Sequence, residues 1–230
     1  MSEEASGTLN NSADKPIDWM DLKFIVFVGI VGAAIKVVAA TKPEWHLNIT
    51  DALVASLLIL GYIAARARRQ PEKLDEWGLT TPLTVPAVAM ALVLLGVGLG
   101  GFSVSTGIAF AGGPRFEPSY VPRMIEYLTG AFPQQFAMCS VGLVSLAKLR
   151  PFRNPWLLAF VVGLSFCLVH FLPPLKSWST ILLELATLFP AGFVAAAYFL
   201  KFRNILPLTA LHAILYVFLS SWTSWTMAHQ

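Results

Sequence analysis

TVPAVAMALVLLGVGLGGFSVSTGIAFA, residues 84–111, contains no aspartate, glutamate, lysine or arginine. The hydrocarbon core of a bilayer is crossed by a helix of roughly 20 apolar residues, and a run of this length reads as such a span. It also sets the fold class. Within hydrocarbon every backbone N–H and C=O must pair inside its own segment, so a chain built from such runs is a bundle of helices. Six more runs flank it, near 23–41, 51–66, 123–147, 156–173, 179–200 and 205–225. The expectation is an all-α, polytopic transmembrane bundle of about seven spans, with six or eight as the neighbouring counts. The small residues of GVGLGGFSVSTG, 96–107, read as a surface for close helix packing.

Composition agrees. The chain is 56% hydrophobic and 13% charged, with a mean hydropathy of +0.67, too apolar for a soluble domain of 230 residues. A net charge of +3 with no basic stripe excludes nucleic acid as a partner and points to membrane lipid instead. Cys139 and Cys167 both fall inside apolar runs, where they read as buried packing and not as a disulfide or a zinc ribbon. MSEEASGTLNNSADKPIDWMD lacks the apolar core of a signal peptide. Residues 1–20 read as a mobile polar tail and 21–230 as a single transmembrane domain.

Orientation follows from lysine and arginine. With the N-terminus cytoplasmic, the inner segments hold eleven of the sixteen basic residues and the outer segments four, with Lys36 inside the first span. That bias predicts an integral, multi-pass protein with its N-terminus inside and its C-terminus on the outer face. KLDEWGLTTP, 73–82, is too polar to cross and is expected at the cytoplasmic interface.

The polar residues inside the runs need partners. Gln134, Gln135, His170, His212 and Lys36 either bridge helices or line a wet cavity, and polarity alone leaves both readings open. Spacing adds a pattern: Gln135 and Cys139, Phe166 and His170, His212 and Tyr216 each lie four apart, on one helical face. In order, these resemble the EExxxR, FxxxH and HxxxN motifs of the CPBP (ABI, or type 2 CAAX prenyl endopeptidase) family of intramembrane proteases. DEWGLTTP, 75–82, is similar to that family's W-G-L segment, and the resemblance covers roughly residues 75–220.

The resemblance implies an intramembrane endopeptidase. The first motif's leading glutamate and the FxxxH histidine activate water, and the HxxxN histidine and asparagine stabilise the oxyanion. Carried over, these positions are Gln134, His170, His212 and Tyr216, with Gln135 and Cys139 where the family has a glutamate–arginine pair. Only the histidines match. An amide takes no proton near neutral pH, so Gln134 is no general base. The loss of two acidic groups together with their basic partner reads as natural drift, since removing both halves of a buried pair is close to neutral. The expected function is a pseudoprotease that binds a membrane-anchored or lipidated peptide or protein. The alternatives are an active or engineered-inactive protease of such substrates and, last, a small transporter. No cofactor is expected: zinc attaches to the family by label, but two histidines fall short of the usual three ligands.

Overall fold

The computed structural model of the protein describes residues 17–42, 50–105, 117–170 and 178–228. These residues are mostly helical, with no strand among them. Over their described residues the seven apolar runs are helical, and with one short polar helix the described residues form nine α-helices. In chain order they are α1 (Trp19–Thr41), α2 (Thr50–Arg69), a short α3 (Glu72–Glu76), α4 (Val85–Ser105), α5 (Tyr120–Gln135), α6 (Val144–Ala147), α7 (Pro155–His170), α8 (Trp178–Phe202) and α9 (Leu206–Ala228). A π-helical stretch, Phe136–Leu143, joins α5 to α6 so that 120–147 is one continuous rod. Windows at Trp19–Ala39, Val85–Val104 and Leu185–Phe202 are long and apolar enough to cross a membrane. The protein is an integral membrane protein, and its lipid-facing side is plain in α4, where Val85, Leu92, Val93, Val97 and Val104 are exposed.

Local chemistry sets where the helices begin. The Asp18 carboxylate accepts from Met20 N at 3.1 Å and caps α1. Thus α1 starts inside the stretch read as tail, and residues 1–16 lie outside the described residues. Asn154 Oδ1 accepts from Trp156 N and Leu157 N, with Pro155 in the first turn of α7. Arg203, at φ 51, takes the left-handed conformation that stops α8, and Asn204 Oδ1 then accepts from Leu206 N to start α9.

The core is centred on the π stretch. Phe136, Cys139 and Leu143 are fully buried with Ile59, Leu158, Phe199 and Leu208 from four other helices. α7 and α8 pack backbone to backbone: a Cβ on Gly163 would lie 2.7 Å from Phe193 N, and one on Gly192 would lie 3.0 Å from Gly163 Cα. Of the glycines at 96, 98, 100 and 101, only Gly98 makes such an approach, against Leu215.

The interfacial stretch is not loosely attached. Trp77 is 1% exposed, its ring edge-on to Phe136 at 5.2 Å, and its carbonyl accepts from Ser140 Oγ at 2.6 Å. Gly78, at φ 69, lies so close to the Arg203 carbonyl that a side chain would overlap it, and Gly78 O accepts from Ile205 N. Asn204 Nδ2 donates to Thr81 O at 2.7 Å and Arg203 Nη2 to Glu76 O at 2.8 Å.

Charges close this end of the bundle. Lys73 Nζ lies 2.8 Å from Asp21, 3.1 Å from Asp18 and 3.3 Å from Glu76. Arg66 pairs with Asp18 and Asp21, and Lys148 pairs with Glu76 at 2.7 Å. Three cations and three carboxylates therefore join α1, α2, α3 and the end of α6. Burial pushes the Asp18 and Glu76 carboxyls up, but hydrogen bonds and charge from Lys73, with Arg66 on Asp18 and Lys148 on Glu76, hold both below their ordinary values. Burial lowers Lys73, and its three carboxylates more than reverse that.

The signs give an acid limb and an alkaline limb. Depressed carboxyls contribute stability that is present above their unfolded values, near pH 4, and lost as pH falls through the folded ones. The raised Lys73 contributes below about pH 10 and is lost as pH rises through its folded value. Thermal unfolding in detergent should therefore be flat between these limits and fall on both sides. Lys73→Met should cost on the order of 3 kcal/mol at pH 7, because three carboxylates lose their central cation.

Candidate functional site

Gln135, the last residue of α5, is buried where the helix widens into its π turns. Its Nε2 lies 3.0 Å from His212 Nδ1 on α9, and its Oε1 accepts from the Cys139 thiol at 3.7 Å. With the amide so oriented Nδ1 is the acceptor, which puts the imidazole proton on Nε2. The π stretch is where such an arrangement is found. One extra residue per turn spreads the helix, and π turns gather at functional positions. Gly142 permits it locally, because a Cβ there would sit 2.9 Å from Ala137 O, its partner one π turn earlier.

Rings enclose the imidazole. The Phe166 ring meets His212 edge-on at 6.1 Å and Tyr127 does so at 5.9 Å. Tyr127 in turn stacks on Tyr216, centroids 3.6 Å apart and 3° from parallel, with Tyr216 46% exposed. Farther along the same seam between α5 and α9, Arg123 donates to Ser221 Oγ at 2.7 Å and to Ser220 Oγ at 3.4 Å.

The structure thus brings Gln135, Cys139, Phe166, His212 and Tyr216 into one connected set. Gln134, the preceding residue, is partly buried, and its Oε1 is buried with no hydrogen-bond partner among the described residues. His170 is the last residue of α7, one turn beyond Phe166, and its side chain lies outside the described residues. The sequence reading missed Tyr127, although its position eight residues before Gln135 puts it on the same helical face. It also missed Arg203. Burial lowers this guanidinium, which the carboxylates of Glu76 and Asp75 oppose, and its charge reaches Cys139 from another helix.

Histidine positions on α7 and α9, with two amides and a thiol on the rod formed by α5 and its π continuation, follow the order of the motifs. The family model for type II CAAX prenyl endopeptidase, Rce1-like, matches residues 129–218. The matched segment is similar to an Rce1-like domain. It runs from the middle of α5 to the middle of α9 and contains all of the motif positions, in accord with the CPBP resemblance. The W-G-L stretch at 77–79 lies outside the match, yet packs against its π segment through Trp77. No curated protein and no solved structure matches the chain.

The described residues of this segment do not fit a catalytic zinc ion. His212 Nδ1 is taken by an amide nitrogen, and among the described residues no three His, Cys, Asp or Glu side chains gather.

The tautomer is directly measurable. Long-range 1H–15N correlation of the imidazole should report His212 protonated on Nε2 in the folded chain, and Gln135→Leu should mix the two tautomers. A protonated Nδ1 in the unmodified chain would reverse the amide orientation.

Proposed function

We propose that this protein is a pseudoprotease, an Rce1-like scaffold that binds a membrane-anchored or lipidated peptide or protein without cutting it. The observation that carries the reading is the 3.0 Å contact between the Gln135 amide and His212, at a position where the family pattern has a carboxylate. A carboxylate there would charge-assist the imidazole, whereas the amide holds it neutral and in place. Gln134 offers an acceptor but no base, and Tyr216 stands at the asparagine position with its ring committed to Tyr127. The residues present orient groups and exclude water. They do not activate a nucleophile.

The expected activity is correspondingly low. A general base contributes about 10²–10⁴-fold and one oxyanion donor about 10²–10³-fold, and these losses multiply. The purified chain in lipid should leave a panel of membrane-anchored and S-farnesylated peptides intact while binding at least one of them. Gln134→Glu alone should not restore cleavage, because a lone buried carboxylate stays protonated. The combined variant Gln134→Glu, Gln135→Glu, Cys139→Arg, Tyr216→Asn rebuilds the family pattern and is the positive arm. Cleavage by the unmodified chain, abolished by His170→Ala, would establish the active protease instead.

Orientation belongs to the same reading, with the N-terminus cytoplasmic and the C-terminus outside. In its support, Arg66, Lys73, Lys148 and Arg203, all on the inner side by the charge bias, meet at one end of the bundle, while Arg123 lies along the opposite end of α5. A reporter fused after Gln230 should be active on the outer face, and a cytoplasmic signal would overturn the assignment.

A further inference from the structure

Two neighbouring amides in this chain have opposite fates. Gln135 is used on both sides, its nitrogen on His212 and its oxygen by Cys139. Gln134, turned about 100° around the helix axis from it, keeps a buried oxygen with no hydrogen-bond partner among the described residues. Two other buried polar atoms share that condition, Arg66 Nε and Gln70 Oε1. Those two are a donor and an acceptor four residues apart at the end of α2, a complementary pair next to the charged network. Gln134 has no such complement.

We propose that Gln134 is the recognition residue of the Rce1-like domain: its side-chain oxygen accepts a hydrogen bond from a backbone N–H of the bound peptide. This deepens the binding function proposed above and rests on it. A buried carbonyl without a donor is costly, and a partner that brings one gains what the free protein lacks. Gln134 is itself only partly buried, so rotation about its terminal side-chain torsion brings the oxygen to an arriving group without backbone change. The donor is a main-chain amide because a peptide segment leaving water for a membrane scaffold carries N–H groups that must be satisfied there. The contact cannot lead to cutting, since an amide oxygen accepts a hydrogen bond but takes no proton near neutral pH.

Backbone N-methylation removes one N–H at a time and tests this. The full chain in lipid nanodiscs is titrated with an S-farnesylated peptide and with a series carrying one N-methyl group at successive positions. The expected result is one position at which methylation weakens binding to the unmodified protein roughly tenfold. Gln134→Met, similar in length but without the amide oxygen, should bind the unmethylated peptide weaker by the same factor and be indifferent to methylation there. Gln134→Glu retains an acceptor and should recover the discrimination, with the His212 imidazole spectrum reporting that both variants are folded. Binding by Gln134→Met equal to that of the unmodified chain, or the same methyl discrimination in both, overturns the recognition role. So does peptide binding that no N-methyl group disturbs, and in that case the binding function stands. An unmodified chain that binds none of the peptides removes the binding function and the recognition role together.

Discussion

Inside an apolar bundle a polar side chain has no water to fall back on, and the Gln135 amide meets that constraint by joining two helices. Its nitrogen goes to His212 on α9 and its oxygen accepts a hydrogen bond from the Cys139 thiol, so α5, its π continuation and α9 are tied by one side chain. Much of the site follows from that tie. With His212 held, Phe166 of α7 and Tyr127 of α5 close on its edges, and Tyr216 lies flat on Tyr127. A carboxylate in the same place would need a compensating cation within the core. The amide needs none, and the fully buried Cys139 occupies the position where the family pattern puts that cation.

The charged end solves the complementary problem. Asp21 and Lys73 are both buried, yet each charge faces at least one of opposite sign, and three cations are matched to three carboxylates. The network also holds Trp77 in place from below while Phe136 and Ser140 meet it from above. The same π stretch therefore carries the Gln135 site on one side and rests on the interfacial segment on the other.

Helix positions were legible in the sequence because hydrocarbon imposes them: the seven apolar runs and the seven long helical rods coincide to within a few residues at most ends. That Gln135 and His212 each needed a partner was legible as chemistry, but not that they partner each other. Tyr127 and Arg203 were not, because an aromatic in an apolar run and an arginine in a turn raise no such demand. Trp77 was read as interfacial from its charged neighbours, and its burial goes with a hydroxyl donor, Ser140, and a ring contact, Phe136, that are distant in the chain, which no local pattern encodes. The π turns were hidden for a similar reason, as widening is a property of backbone hydrogen bonding and FAMCSVGL differs little from any apolar helix. The side chain of His170 falls outside the described residues, so the FxxxH position is represented by Phe166 alone.

The π stretch also gives the protein a phase joint. In an ordinary α-helix, losing one residue rotates everything beyond it by about 100° and unseats half of the packing. A rod with surplus residues in its middle can lose one and settle into α geometry, turning the glutamine half relative to the half that carries Val144–Ala147 while both stay helical. Insertions and deletions confined to 136–143 are thus the changes by which this scaffold can re-aim its polar face without being rebuilt.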